Sequence, residues 1–323
     1  MLTVLITAPY MLPLMERFRP VFDDYAFELI TPDVQERMEE EDLLEYAGKF
    51  DGVICGDDRF SERVLRACLP RLKVISKWGT GIDSIDRDAA ARLGVRVCRT
   101  PNAFTLPVSD SVMGYILAFA RKLQWMDRDV KSGKWQKLMG KSLSECTLGV
   151  VGVGNVGKAV LRRARAFGMK LLGNDIVPVA PDFLLENGVE MTSLRILLER
   201  SDFVSLNCDL NPTSYHLINP ETLGWMKPGG ILINTARGPI VDEPSLIAAL
   251  QAGAIGGAAL DVFEVEPISP QSPLCQMDNV LLAPHNSNSS PAAWERVHWN
   301  TIRNLLEGLG LDASKLQDWI GKD

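Results

Sequence analysis

The sequence predicts an α/β protein with two doubly wound parallel sheets, and three observations support this fold class. The chain has 323 residues, which exceeds the usual size of one hydrophobic core and predicts two domains. Short β-rich runs alternate with helical patterns, as is typical of a parallel sheet covered by helices. The alternation starts again in the middle of the chain, and a single sheet with all these strands would exceed the usual limit of about ten.

The first series of strands is predicted in the N-terminal third of the chain. Its β-rich runs are LTVLITA, FELI, DGVIC, KVIS and VRVC. Helical segments such as SERVLRACL and DRDAAARLG separate these runs. A long amphipathic stretch from about Val108 to Lys134 follows, and it predicts one helix that links two domains or contacts a second subunit.

The second series starts with TLGVVGVGNVGKAV and continues with KLLGND, DFVSLN, GGILINTA, AIGGAALDVF and NVLLA. The last segment, from Pro291, predicts a helix that returns to the first series. We therefore predict one domain at residues 1–101 plus 288–323 and a second at residues 102–287.

Composition excludes several classes of protein. The formal net charge of -7 argues against a nucleic acid or an anionic membrane as partner, because phosphate binding needs a basic surface. The six cysteines are scattered, with no C-x-x-C pair and no metal-ligand spacing, so we predict reduced thiols and no metal site. The apolar N-terminus lacks the basic region of a signal peptide. These features predict a soluble, cytoplasmic protein.

Residues 152–157, GVGNVG, fit the dinucleotide-binding pattern G-x-G-x-x-G. The pattern follows the strand-like TLGVV and opens a helical segment, which is the context that gives the motif its meaning. Gly152 permits a tight turn, Gly154 lets the backbone approach a pyrophosphate, and Gly157 allows close packing of helix on strand. The N-terminus of the helix then faces the negative charge of the ligand.

Asp175 ends the run KLLGND, downstream of the glycines. A carboxylate at this place can bond both ribose hydroxyls of NAD and would repel the 2'-phosphate of NADP. No Arg or Lys follows in IVPVAP. We therefore predict NAD as the cofactor.

The chain closely resembles the D-isomer-specific 2-hydroxyacid dehydrogenases, and in particular their phosphoglycerate dehydrogenase-like branch. The resemblance extends from KWGTGIDSIDRDAAARLGVRVCRTPNA to APHNSNSS, and its most specific motifs are INTARG, ALDVFEVEP and APH. It implies two domains of Rossmann-like or flavodoxin-like topology. Residues 102–287 would be the NAD-binding Rossmann domain, and residues 1–101 plus 288–323 the substrate-binding (catalytic) domain, with the active site in the cleft between them.

The resemblance also implies three catalytic residues, Arg237, Glu266 and His285. The planar guanidinium of Arg237 would bind the substrate carboxylate in two places, which a lysine cannot do. His285 would exchange the proton of the substrate hydroxyl, since histidine is the residue type whose unperturbed side chain titrates near neutral pH. Glu266 would orient the His285 ring and stabilise its protonated form. The implied reaction is a hydride transfer between NAD and a small D-2-hydroxy acid.

Other contacts follow from the same resemblance. The implied cofactor contacts, besides the glycines and Asp175, are Thr80, Asn155, Val156, Cys208, Thr235, Ala236 and Asp261. The implied substrate contacts, besides Arg237, are Lys77, Gly79, Gly81 and Asn286. The helix from about Val108 matches the segment through which the family forms dimers, so a homodimer is expected. Lys77 would be available for a second negative charge.

Several alternatives stay open at this point. Cys208 is as consistent with packing as with a cofactor contact, and Asp57 could cap the helix SERVLRACL. The polar run after His285 could face the substrate, or Ser289 or Ser290 could cap the last helix. ICGDDRFS and NSNSS depart from the phosphoglycerate branch, so glycerate, hydroxypyruvate and glyoxylate are further candidate substrates. Glu266 argues against formate dehydrogenase, whereas an NAD-sensing corepressor would keep the same residues.

Overall fold

The computed structural model describes residues 1–320 and divides the chain into two compact units. Unit 1 comprises Met1–Ala103 and the segment that starts at Ser290, and unit 2 comprises Phe104–Ser289. The domain boundaries predicted from the sequence fall two residues before these. Residues 321–323 of the first predicted domain lie outside the described residues.

Unit 1 contains a five-stranded parallel sheet in the order β2-β1-β3-β4-β5. Its strands are β1 Thr3–Ile6, β2 Glu28–Ile30, β3 Gly52–Cys55, β4 Val74–Lys77 and β5 Arg96–Cys98. Its first helices are α1 Met15–Asp24, α2 Glu40–Leu44, α3 Glu62–Cys68 and α4 Arg87–Arg92. Every residue of β1, β3 and β4 is buried, as expected for the central strands of a parallel sheet with both faces covered. The strand order is that of a flavodoxin-like sheet.

Unit 2 contains a seven-stranded parallel sheet in the order β12-β11-β10-β9-β6-β7-β8. Its strands are β6 Thr147–Val151, β7 Lys170–Asn174, β8 Val189–Met191, β9 Phe203–Leu206, β10 Ile231–Asn234, β11 Gly257–Leu260 and β12 Val280–Leu282. The order reverses between β6 and β9, as in a Rossmann fold. The two predicted parallel-sheet domains are therefore confirmed.

The remaining helices begin with α5 Thr105–Arg121 and α6 Leu123–Lys131, and continue with α7 Asn155–Ala166, α8 Pro181–Asn187, α9 Leu194–Arg200, α10 Pro220–Leu223, α11 Glu243–Gln251 and α12 Pro291–Gly308. The prediction of one continuous helix from about Val108 to Lys134 is wrong. The chain breaks at Lys122, which has a left-handed φ of 57°. The Lys122 N–H closes the end of α5 on carbonyls of the preceding turn. Among residues 1–320, no helix is both long and apolar enough to cross a membrane.

Helix α12 completes unit 1, as the sequence predicted. The Ser76 hydroxyl on β4 donates to the carbonyl of Thr301 in α12 at 2.7 Å, and both residues are buried. The Trp78 indole N–H donates to Nδ1 of His298, also in α12, at 3.0 Å. Two chain segments that are far apart in sequence thus build one core.

Candidate active site

The glycine loop joins β6 to α7 at the reversal of the seven-stranded sheet. Gly152 has a φ of 87°, and a Cβ there would lie 2.5 Å from the backbone nitrogen of Cys208. A Cβ on Gly157 would lie 2.0 Å from the carbonyl oxygen of Gly152. Packing within the protein therefore requires both of these glycines.

Gly154 differs, because a Cβ there would meet no atom of the described residues within 4 Å. The protein itself therefore does not require glycine at this position. The next residues, Asn155 and Val156, begin α7, so the open side of Gly154 lies at a helix N-terminus. A dinucleotide pyrophosphate fits this surface, since it needs close approach of the backbone and a positive helix end.

Asp175 directly follows β7 and lies against the glycine loop. One carboxylate oxygen accepts the Val153 N–H at 2.6 Å, and the other accepts the Val177 N–H at 2.8 Å. These bonds hold the carboxylate beside the loop in the position expected of a ribose ligand. Its contact with the cofactor remains a prediction.

Two polar side-chain atoms at the same sheet edge are buried without a hydrogen-bond partner within residues 1–320. They are Oδ1 of Asn207, directly after β9, and Oγ1 of Thr235, directly after β10. An unsatisfied buried polar group costs about 1–3 kcal/mol. The pair therefore fits a bound ligand with polar groups, such as the cofactor. Thr235 was expected near the nicotinamide, whereas Asn207 was missed, although its place after a strand at the reversal could have indicated it.

Cys208 and Ala236 lie next to these two residues. Burial raises the pKa of the Cys208 thiol to about 11, so the group is neutral and is suited to packing. The Ala236 N–H donates to the Asn234 side chain at 3.1 Å. Their contacts with the cofactor stay predictions.

His285 and Glu266 form the hydrogen bond that the sequence led us to expect. His285 Nδ1 lies 2.9 Å from Glu266 Oε2, and Glu266 Oε1 accepts the Phe263 N–H at 2.9 Å. Both side chains are largely buried, with exposed fractions of 22% and 18%. His285 has a left-handed φ of 50°, which is uncommon for a residue other than glycine. The backbone around it must therefore be held in place.

Asp261 does so. The His285 N–H donates to the Asp261 carbonyl at 2.8 Å. The buried Asp261 carboxylate accepts the N–H groups of Asn286 at 2.8 Å and Ser287 at 2.9 Å. Asp261 was expected at the nicotinamide. That contact remains a prediction, but the carboxylate has a positioning role that the sequence analysis missed.

Arg237 lies on the loop after β10, and the Asn234 side chain donates to its carbonyl at 2.8 Å. Its own guanidinium donates to the Ala236 carbonyl at 2.8 Å. A Cβ on the adjacent Gly238 would lie 1.8 Å from the Phe263 carbonyl oxygen. The loop that carries Arg237 thus packs backbone to backbone against the loop that carries Glu266.

Three of the other predicted substrate contacts, Lys77, Gly79 and Gly81, lie in unit 1, at the carboxyl edge of its sheet. Lys77 ends β4 and is buried. Gly79 has a φ of 126°, and its carbonyl accepts the Thr100 N–H at 2.8 Å. The Thr80 hydroxyl donates to the Thr100 carbonyl at 2.8 Å. These bonds fix the loop that contains Gly79, Thr80 and Gly81.

The interpretation of Asp57 as a helix cap is wrong, and the capping interpretation of the last helix is right only in the position of Ser290. Ser61 caps α3 by accepting the Val64 N–H, whereas Asp57 forms an ion pair with Lys77. The N-cap residue of α12 is Ser290, not Ser289, and the Ser290 side chain makes no capping hydrogen bond. Helix capping by a side chain therefore does not explain the polar run after His285.

Comparison with known proteins identifies the family to which this chain belongs. The sequence model described as "D-isomer specific 2-hydroxyacid dehydrogenase, NAD binding domain" matches residues 113–287. The chain belongs to this family. The predicted family and the NAD cofactor are confirmed, and the protein is an NAD-dependent oxidoreductase.

Individual relatives agree with this membership. A glyoxylate reductase of Thermofilum pendens is 40% identical over 273 residues, which are 82% of this chain and 80% of the relative. A hydroxypyruvate reductase of Thermotoga maritima is 40% identical over 244 residues, or 74% of this chain and 78% of the relative. The crystal structure of D-lactate dehydrogenase from Aquifex aeolicus, complexed with NAD and lactic acid, matches with a TM-score of 0.83 and 28% identity, and the match covers 95% of this chain and 97% of that one.

Proposed function

We propose that the protein interconverts a small 2-keto acid, glyoxylate or hydroxypyruvate, and the corresponding D-2-hydroxy acid with NAD(H). The observation that carries the proposal is the 2.9 Å hydrogen bond between His285 Nδ1 and the Glu266 carboxylate. The loop that carries Glu266 packs against the loop that carries Arg237. Relatives named glyoxylate reductase and hydroxypyruvate reductase, each 40% identical, support this choice of substrates.

Substrate binding would begin with the carboxylate. Arg237 would bind it through the two parallel N–H groups of the guanidinium. The backbone N–H groups of Gly79 and Gly81 would add neutral donors, and Asn286 would bond a polar group beyond C2. These contacts would hold C2 in one orientation throughout the reaction.

Proton transfer would use His285. Because Glu266 engages Nδ1, the exchange with the substrate oxygen would pass through Nε2. The Glu266 carboxylate would stabilise the imidazolium, and Asp261 would keep the segment in place through backbone bonds. The glycine loop, Asp175, Asn207 and Thr235 would hold NADH, which when bound supplies the hydride for C2.

Assembly and location belong to the same proposal. Apolar side chains are exposed along α5, α6 and the following segment, namely Leu106, Leu123, Val130, Trp135 and Met139. A patch of this kind marks an interaction surface, so we infer a homodimer formed through it. All six cysteines are free thiols, which supports a cytoplasmic location.

The test is turnover with a panel of 2-keto acids and either NADH or NADPH. We expect reduction of glyoxylate and hydroxypyruvate with NADH, at higher kcat/KM than for branched apolar 2-keto acids. NADH should exceed NADPH, and Asp175→Ala should narrow that difference. Binding of NADH without turnover of any acid would favour the NAD-sensing corepressor instead.

A further inference from the structure

Unit 1 has an edge suited to ligand binding that the chemistry above uses only in part. Its strand order reverses at β1, which lies between β2 and β3. In open α/β sheets, ligands bind outside the carboxyl ends of the strands at such a reversal. The loops at this edge are residues 7–10 after β1, residues 56–58 after β3 and residues 78–81 after β4.

The cation at this edge is neutralised. Lys77 pairs in register with Cys55, so its side chain leaves the sheet beside the loop after β3. Its Nζ lies 3.0 Å from Asp57 Oδ1 and 3.3 Å from the Trp78 carbonyl oxygen. The Lys77 side chain is 5% exposed and that of Asp57 is 38% exposed. Separating such a pair leaves a poorly solvated charge behind, which is costly.

The surrounding charges do not restore a positive site. Asp58 is buried, accepts the Met38 N–H at 2.6 Å and bonds the Thr7 hydroxyl. Burial raises the pKa of Asp58 to about 6, so near neutral pH it adds negative charge beside Lys77. Arg59, next in the run, lies 4.0 Å from a carboxylate oxygen of Glu39.

One further cation lies near this edge. Arg99 is exposed, follows β5 and donates to the Thr80 carbonyl at 3.2 Å. It therefore lies beside the loop of Gly79 and Gly81, to which the substrate carboxylate is assigned above. Lys77 differs from Arg99, because Lys77 is buried at the end of a central strand.

Three aromatic rings pack together beside these loops. Tyr10 lies after β1, Trp78 after β4, and Trp294 in the first turn of α12. The ring centroids are 4.9 Å apart for Tyr10 and Trp78, 5.0 Å for Tyr10 and Trp294, and 5.8 Å for Trp78 and Trp294. The face of an aromatic ring carries negative charge density, so this cluster does not compensate a desolvated phosphate.

We propose that the Lys77–Asp57 pair and the cluster of Tyr10, Trp78 and Trp294 select 2-keto acids whose far end is neutral and discriminate against a second anionic group. The inference rests on the proposed function and narrows its substrate class. It replaces the expectation that Lys77 meets a second negative charge. A phosphate at this edge would have to compete with Asp57 for the lysine.

The experiment compares hydroxypyruvate with 3-phosphohydroxypyruvate, which differ by the phosphoryl group. We expect the wild-type protein to favour hydroxypyruvate in kcat/KM by about tenfold or more, the range for a poorly compensated charge. Asp57→Asn removes the competing carboxylate with little change of shape. It should lower that ratio severalfold, through better use of the phosphorylated acid. Asp33→Asn, at an exposed aspartate, makes the same change in net charge and should leave the ratio unchanged.

Two further measurements keep the result interpretable. A wild-type comparison of 2-ketovalerate with 2-ketoglutarate needs no variant and should favour the monoanion. Calorimetric titration of the NAD-loaded protein with both members of each pair reports selectivity without turnover. Failure to reduce any acid would refute the proposed function, while these affinities would still test the inference. A preference for the dianions, or an unchanged ratio in folded Asp57→Asn, would overturn the inference.

Discussion

Two histidines of unit 2 each bond a glutamate on the same loop, yet their surroundings differ. His285 Nδ1 lies 2.9 Å from Glu266, and His216 Nε2 lies 2.5 Å from Glu264. Both histidines have a left-handed φ, 50° for His285 and 48° for His216. The hydrogen bond to a glutamate alone therefore does not identify a proton carrier.

The neighbours of each pair separate the two roles. His285 follows a strand at the carboxyl edge of the sheet, and Asp261 holds its backbone. The His216 ring stacks on Tyr215 at 4.1 Å, and the backbone N–H of His216 donates to the Pro239 carbonyl at 2.9 Å. A carboxylate oxygen of Asp242 also lies within 4.8 Å of a ring nitrogen of His216 and of a carboxylate oxygen of Glu264. His216 thus ties three loops together, and we interpret it as a structural residue.

The third histidine, His298 in unit 1, makes no hydrogen bond to a carboxylate of residues 1–320, although Glu295 is near enough to raise its pKa slightly against the effect of burial. Its Nδ1 accepts the Trp78 indole N–H at 3.0 Å, and burial lowers its pKa to about 4. The ring is therefore neutral near pH 7. The histidine assigned to catalysis lies beside a carboxylate, whereas the neutral one lies among aromatic rings.

The largest expected difference is between His285→Ala and His216→Ala. We expect His285→Ala to lower kcat by about 10²-fold or more, because it removes the proposed general acid-base group. His216→Ala should leave kcat nearly unchanged and lower the free energy of unfolding by about 1 kcal/mol through its lost hydrogen bond. Steady-state kinetics and chemical denaturation of both variants measure this. Equal losses of kcat in the two folded variants would erase the distinction.

Arg237→Ala tests whether the cation on the loop beside Glu266 binds the substrate carboxylate, which would distinguish the His285–Glu266 pair from the His216–Glu264 pair. Charge-assisted bonds are worth about 1.5–3 kcal/mol, so kcat/KM for a 2-keto acid should fall by about 10- to 100-fold. Most of the loss should appear as a higher KM, unlike the effect of His285→Ala. The dissociation constant of NADH, measured by fluorescence, serves as the control and should not change. An unchanged KM would remove Arg237 from the carboxylate site.

The same substitution at the two glutamates gives a smaller contrast. Glu266→Gln keeps the shape but removes the charge proposed to stabilise the imidazolium. We expect kcat to fall by about tenfold, because a charge-assisted hydrogen bond is worth at least about 1.5 kcal/mol. Glu264→Gln should affect thermal stability more than kcat. The pH profile of kcat/KM should shift in Glu266→Gln alone. A shift in Glu264→Gln instead would exchange the roles of the pairs.

The last effect concerns the pH dependence of stability in unit 1 and does not involve activity. The folded pKa of His298, about 4, is below its ordinary value of 6.5. Its contribution is therefore fully present above pH 6.5 and is lost as the pH falls toward 4. We expect a loss on the order of 2 kcal/mol over this range. Urea denaturation at several pH values should show a flatter acid slope in His298→Gln, which keeps an acceptor for Trp78.

Asp58 serves as a control for His298, because its effect on the pH dependence of stability has the opposite sign. Burial raises its pKa from 3.8 to about 6. Its contribution is therefore fully present below pH 3.8 and is lost as the pH rises through 6. Asp58→Asn should accordingly steepen the acid slope that His298→Gln flattens. Identical slopes in these two variants would contradict both assignments.

Local sequence patterns predicted most of the fold. Continuous apolar runs such as GVIC and ILIN are buried central strands, as periodicity indicates. Edge strand β8, Val189–Met191, was missed because a strand of three residues, one buried, one exposed and one half-buried, carries little pattern. The break at Lys122 was also missed, since lysine rarely adopts a left-handed conformation.

The site was predictable where it depends on residue type at a fixed spacing, as in GVGNVG and ALDVFEVEP. It was not predictable where two distant side chains share one bond and no motif of a known family contains them, unlike His285 and Glu266. The Lys77–Asp57 pair and the His216–Glu264 pair are of this kind. Neither partner has a local pattern that points to the other, so only the folded chain shows them.

The two-segment construction of unit 1 has a consequence for synthesis on the ribosome. Unit 2 is one continuous stretch, Phe104–Ser289, so all of it is available before α12 emerges. Unit 1 lacks the helix that covers Ser76 and supplies His298 until that point. Because domains fold largely as units during translation, we expect the nucleotide-binding unit to fold first. The N-terminal sheet is synthesised earlier, but we expect unit 1 to complete its fold only after α12 has emerged. Helix α12 thus determines when the edge proposed to select the substrate is complete, since it supplies Trp294.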